Sequence, residues 1–199
     1  MLAKYGTLMR RSAGFTLVEL LVTIAVLGIL ASIAAPSFTT MLEKRRLIAA
    51  TEGVYAHLQF ARSEAVKFGL PENLNVSVKT GTPWCLGISN SVASCNCTIP
   101  RTPSTLADNS VCTYGTDGDG DTYLDMTRNL SGDEFSNVTL ATNQANAQVD
   151  GIRGGFGGTA GTITLTSSPS GLTTNIVFSR LGRVKICSTS GVGGYPSCS

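Results

Sequence analysis

Gly14-Phe15-Thr16-Leu17-Val18-Glu19 opens an apolar run that continues to Ala35, and a single carboxylate, Glu19, stands inside it. On insertion scales a carboxylate at the bilayer centre costs about 2.5–3.5 kcal/mol, so an acid in such a run marks function by default. Glu19 lies near the start of the run, where the N-terminus of a helix favours negative charge. A free amine at that end would favour it more. The preceding residues 1–14 are short and polar, carry Lys4, Arg10 and Arg11, and contain no acid. This is the charged front of an export signal, which stays cytoplasmic under the positive-inside rule. A cut between Gly14 and Phe15 would make Phe15 the first residue and set Glu19 about one helical turn from a new positive terminus.

Gly14-Phe15-Thr16-Leu17-Val18-Glu19-Leu20-Leu21-Val22 resembles the class III signal of type IV pilins and type II secretion pseudopilins. The resemblance implies that a prepilin peptidase cuts after Gly14 and methylates the new N-terminus at Phe15. It also implies that the apolar helix packs in a filament core, where Glu19 pairs with the N-terminal amine of a neighbouring subunit. Two other segments compete for the same residues. An ordinary secretory signal would be cut after its apolar region, and Ser32-Ile33-Ala34 offers a small-x-small site. Its apolar core, however, is typically about 7–15 residues long and holds no acid. A plain single-pass anchor explains neither Glu19 nor the Gly-Phe junction.

Residues 15–35, at 1.5 Å per residue, span roughly 31 Å, close to the hydrocarbon thickness of a bilayer. Pro36 follows, removing a backbone donor and inviting a kink. The resemblance makes this a place where the helix bends or melts in the filament. Beyond it Leu47, Val54, Leu58, Ala61, Ala65 and Phe68 recur at helical spacing and mark one apolar face. Glu43, Arg46, Glu52, Arg62, Glu64 and Lys67 occupy the other sides, and Gly69-Leu70-Pro71 is a stop signal. The expected organisation is therefore a leader over 1–14, a transmembrane or filament-core helix over 15–35, its amphipathic continuation over 36–69, and a strand-rich periplasmic head over 70–199. β-prone runs are expected at 74–79, 84–89, 111–114, 138–141, 147–152, 162–166, 173–178 and 184–187, punctuated by Gly, Pro, Asn and Asp. The fold class is α+β, a long N-terminal helix packed on a β-rich head.

The head is also similar to the GspH/FimT group of minor pilins and pseudopilins. The similarity rests on Trp84, on Asp117-Gly118-Asp119-Gly120-Asp121, on Phe178-Ser179-Arg180-Leu181-Gly182-Arg183, and on Gln59-Phe60-Ala61-Arg62-Ser63-Glu64-Ala65 in the stem. It implies a minor type IV pilin that primes or caps a filament, or a minor pseudopilin of a type II secretion system. The partners implied are other pilins or pseudopilins, the prepilin peptidase and the inner membrane. The cysteine-rich stretch from Cys85 to Cys112 departs from the group's common pattern.

Charge and cysteine usage bound the remaining possibilities. Three of the 15 basic residues lie in the leader, so 12 remain against 13 acidic ones and the mature chain is near neutral. Global charge therefore gives no case for a nucleic-acid binder. The six cysteines all lie in the exported part, where an even count favours disulfides. Cys187 and Cys198 flank a Gly-rich segment that closes a loop, and they are expected to pair. Cys85, Cys95, Cys97 and Cys112 suffice for two more bridges of open connectivity. A zinc site at those four lacks a paired C-x-x-C spacing, and the single histidine, His57, lies on the stem.

Two constellations carry candidate chemistry. Asp117, Asp119, Asp121 and Asp125 match positions 1, 3, 5 and 9 of a Ca²⁺ loop, but Thr122 and Arg128 stand where Gly and Glu are required. A solvated Asp-Gly turn explains the same residues. Arg180, Arg183 and Lys185 cluster around Gly182. In DNA-uptake members of the FimT group a Gly-Arg-x-Arg element contacts DNA. This chain has Gly182-Arg183-Val184-Lys185, in which Lys keeps the charge but loses the guanidinium fork. A turn glycine followed by a solvated strand face is the alternative. Finally, no nucleophile elbow, P-loop or dinucleotide fingerprint is present, and His57 is expected as a helix-surface or packing residue, so no enzyme is expected.

Overall fold

The computed structural model describes residues 14–69, 74–90, 93–100, 102, 110–115, 126–157 and 160–198 of the 199-residue chain, with the side chains of 34–36 outside that set. The Asp117–Asp125 loop, the leader before Gly14 and the side chain of Pro36 thus lie outside the described residues. Helix α1 runs Leu17–Phe68. The chain divides into two compact units, Met1–Thr39 and Thr40–Ser199, so the amphipathic half of α1 belongs to the same unit as the head.

Among the described residues of the first unit the large apolar side chains are exposed. Phe15 is 77 % exposed, Leu17 74 % and Ile33 70 %, and Leu20, Leu21, Ile24, Leu27 and Leu30 are each more than half exposed. Among the described residues no single helix is long and apolar enough to cross a membrane, but Leu17–Ile33 and Ser37–Phe68 taken together meet that test.

The second unit is built on two antiparallel sheets. The first has the order β3-β2-β1-β5, from β1 (Leu74–Lys79), β2 (Cys85–Ser89), β3 (Leu130–Ser131) and β5 (Asn146–Val149). The second has the order β4-β6-β7-β8, from β4 (Val138–Thr142), β6 (Gly161–Ser167), β7 (Thr173–Phe178) and β8 (Val184–Ser188). Alternation fixes which side faces the core. Val138 and Leu140, Ile163 and Leu165, and Ile176 and Phe178 are buried, while Thr139, Ala141 and Val177 point outward.

The core is one cluster shared by the helix and both sheets. Leu47, Val54, Leu58, Ala61 and Ala65 of α1 are all buried, joined by Ala50 and Thr51. A helix stripe of mostly small residues lets the sheets approach its axis closely. Thr51 lies hydroxyl to hydroxyl with Thr174 of β7 at 2.6 Å, which satisfies a polar pair that would otherwise be costly to bury. Trp84 joins the sheets: its Nε1 donates to the Val138 carbonyl at 2.9 Å and its ring stacks on Phe135. Gly132 lies under that indole, where a Cβ would come within 2.7 Å of the ring.

The first sheet is covered on both faces. One meets the core through Leu74, Val76 and Val78, and the other carries a small cluster of Cys85, Cys95, Cys97 and Cys112. The bridges are Cys85–Cys97 and Cys95–Cys112, and a third joins Cys187 to Cys198 as expected. Gly87 is required by this insert, because a Cβ there would collide with Cys112.

Residues 111–114, expected as a strand, form only isolated bridges, Val111 to Asn96 and Tyr114 to Met126. The strand expected over 147–152 ends at Val149. There the Asp150 carboxylate accepts from the Ile152 amide and the Gly154 amide returns to the Asp150 carbonyl, turning the chain.

Candidate functional site

The N-terminal segment is organised as a helix start. Thr16 Oγ1 accepts from the Glu19 amide at 3.2 Å, and the Leu20 amide closes the first turn on the Thr16 carbonyl. Thr16 is thus an N-cap and Glu19 the third residue of the helix, the T-x-x-E spacing of a capping box. The sequence carries that signal in Thr16-Leu17-Val18-Glu19, beside the more conspicuous one of a carboxylate in an apolar run. Glu19 is exposed, and no ion pair joins it to another described residue. Gly14 and Phe15 are exposed as well, and a Cβ built on Gly14 would meet no described atom within 4 Å. An accessible Gly-Phe junction, a helix start with a carboxylate in its first turn and an uncovered apolar belt therefore follow one another within 20 residues.

The second candidate is the turn between β7 and β8. The Ser179 amide donates to the Arg183 carbonyl, the Gly182 amide donates to the Ser179 carbonyl, and Ser179 Oγ accepts from the Arg183 amide. Gly182 has φ +83°, and a Cβ there would collide with the Gly154 carbonyl oxygen. The Phe-x-x-x-Gly-Arg element thus has a packing role of its own: Phe178 is buried against Phe156, and Gly182 lets the turn settle on the 154–155 loop. Arg180, Arg183 and Lys185 are all exposed, so the turn displays three cations. Arg62 of α1 reaches the same place, its Nε donating to the Gly154 carbonyl at 2.8 Å and its Nη1 to Gln59. Arg153 adds another exposed cation. Among the described residues the only ion pair is Lys67 with Glu64, so no described acid neutralises these cations by direct contact. Arg62 and Arg153 are far from the turn in sequence, and no spacing rule would have joined them to it.

The expected calcium set falls on residues outside the described ones, and among the described residues no group of three or more His, Cys, Asp or Glu is placed to hold a metal. The four cysteines considered for zinc are consumed in disulfides. His57 is a packing residue, only 3 % exposed. Its burial, reinforced by the positive charge of Arg128, lowers its pKa from 6.5 to about 4, so the imidazole is neutral at pH 7.

A capped, uncovered apolar stem leading into an amphipathic helix that packs on a disulfide-bonded β head defines a pilin-like protein. Comparison with family models agrees at both ends. Residues 9–35 match the prokaryotic N-terminal methylation motif, and residues 50–182 match type II transport protein GspH. The chain belongs to the GspH family, a family of structural subunits rather than enzymes. No curated protein and no solved structure matches the chain.

Proposed function

We propose that this chain is the precursor of a minor type IV pilin, a priming or structural subunit of a filament assembled from the inner membrane. A minor pseudopilin of a type II secretion system is the alternative, and membership of the GspH family is compatible with both. The observation that carries the proposal is the uncovered apolar belt that begins at an accessible Gly14-Phe15 junction with Glu19 in its first turn. Prepilin peptidase cuts after Gly14 and methylates Phe15, leaving the head in the periplasm. The belt, exposed in the isolated chain, is covered first by lipid and then by the stems of neighbouring subunits. Lipid already shields the belt from water, so assembly gains from close packing of stem against stem rather than from the hydrophobic effect. Glu19 tolerates the apolar surroundings because a neighbour's N-terminal amine compensates it. Glu19→Ala is expected to insert into the membrane normally and to be depleted from sheared filaments. Normal incorporation of that variant would refute the pairing. Deletion of the gene separates the two machines: loss of surface pili identifies the pilin, and loss of protein secretion identifies the pseudopilin.

A second function, DNA capture at the filament tip, is favoured by one observation. Arg180, Arg183 and Lys185 are exposed together beside Arg62 and Arg153 without acidic partners among the described residues. Phosphate contact requires accessible positive charge and weakens with salt. A gel shift that weakens as salt rises and is lost in Arg183→Ala/Lys185→Ala supports it. Binding unchanged in that double variant excludes this turn.

A further inference from the structure

The head contains a recess lined by none of the residues of the two candidates above. It has a volume of about 600 Å³ and lies between α1 and the segment entering β3. Gly53, Ala56 and His57 form its helix wall, and Thr127, Arg128 and Asn129 line the opposite side. Residues 53, 56 and 57 share one helix face, and the two small ones leave the space open. Its volume falls within the range typical of small-molecule sites.

Two of its walls are chemically incomplete. His57 is 3 % exposed, yet its Nε2 has no hydrogen-bond partner among the described residues. Buried polar atoms are seldom left so. Arg128 stacks its guanidinium 4.2 Å from the centroid of the Phe60 ring, which in turn packs edge-on against Tyr114. Stacking fixes the guanidinium plane and leaves its N–H edge for a planar acceptor. Arg128 makes no ion pair among the described residues, and the nearby acid Glu64 is paired with Lys67.

We propose that this recess binds a carboxylate, held by the Arg128 guanidinium, with His57, Thr127 and Asn129 as its hydrogen-bonding neighbours. The charge balance selects the ligand class. One guanidinium beside a neutral imidazole offers one positive charge, which suits one carboxylate better than a phosphate dianion. The flat fork of arginine matches the two carboxylate oxygens. The carboxylate belongs either to a free organic acid or to an acidic side chain of a partner protein; the chemistry at Arg128 is the same.

The chain has one histidine, so ring-labelled ¹³C-histidine gives one imidazole signal, that of His57. The full-length chain in detergent micelles is titrated with propionate, with an acetyl-glutamyl-amide peptide and with phosphate. Either carboxylate probe is expected to move the His57 signal saturably. It is also expected to raise the midpoint, about 4 in the free chain, by about half a pH unit or more as it offsets the charge of Arg128. A stronger response to propionate assigns a free acid, and a stronger response to the peptide assigns a partner side chain. Arg128→Gln abolishes both effects. Ala56→Leu, at an exposed helix position that tolerates the larger side chain, fills the recess without touching charge and abolishes them too. The proposal is overturned if neither carboxylate moves the signal, if the response persists in both variants, or if phosphate is the stronger ligand.

Discussion

Acidification should weaken the head through His57. The imidazole is 3 % exposed, its Nε2 is unpartnered among the described residues, and Arg128 lies beside it, so protonation in the folded state is opposed by burial and by like charge. Its pKa falls from 6.5 in the unfolded chain to about 4 in the folded one. Between those values the unfolded state binds the extra proton, so stability rises with pH across the window. The contribution is complete above pH 6.5, declines as pH falls, and is fully lost below about 4. At about 1.4 kcal/mol per pH unit, the loss reaches about 2 kcal/mol at pH 5 and about 3 kcal/mol at pH 4. For a chain of this size the pH 5 loss corresponds to about 4–8 °C in Tm. The chain has a single tryptophan, Trp84, buried and stacked on Phe135, so its fluorescence reports unfolding of the head. Urea denaturation of the full-length chain in detergent, in buffers free of carboxylates, is compared with that of His57→Gln. Gln does not titrate, so its cost shifts the whole profile without tilting it, and the carboxylates titrate alike in both proteins. The wild-type curve should fall relative to the variant by about 2 kcal/mol between pH 7 and pH 5. Parallel curves would refute the reasoning.

Removing the C-terminal bridge by Cys187→Ser/Cys198→Ser frees a loop that otherwise returns to the stem, where Val192 is buried and Tyr195 donates to Glu52. The chain-entropy estimate for so short a loop is about 3 kcal/mol, measurable as a lower urea midpoint. Gly182→Ala combines a left-handed backbone with a collision against the Gly154 carbonyl, so it should cost about 2–3 kcal/mol by the same assay. At Gly53 a Cβ would meet Phe135 and Leu130 at ordinary contact distances of 3.5–3.7 Å, so Gly53→Ala should stabilise the helix by up to about 1 kcal/mol.

Periodicity revealed the helix face, because Leu47, Val54, Leu58, Ala61 and Ala65 repeat at the spacing that burial demands. Strands such as β6 and β7 were legible for the same reason: Ile163 and Leu165 alternate with threonines, and Thr174, Ile176 and Phe178 alternate with outward residues. Elements held by long-range partners were not. β3 is two residues long and exists because β2 pairs with it, and residues 111–114 carry strand composition but find only single bridges. The pairing of Cys85 with Cys97 and of Cys95 with Cys112 depends on the insert folding over β2, which no local rule encodes. At the stem the Gly-Phe junction and Glu19 were visible from residue types alone. The cap by Thr16, the approach of Arg62 to the β7–β8 turn and the meeting of His57 with Arg128 required coordinates.

The most direct test of the filament-subunit assignment is the intact mass of the protein recovered from assembled filaments, compared with that from cells lacking the prepilin peptidase. A chain beginning at Phe15 and carrying one added methyl group is the expected result, with a precursor that keeps residues 1–14 accumulating in the mutant. Filaments that retain residues 1–14, or a mature chain that begins beyond Ala35, would contradict it.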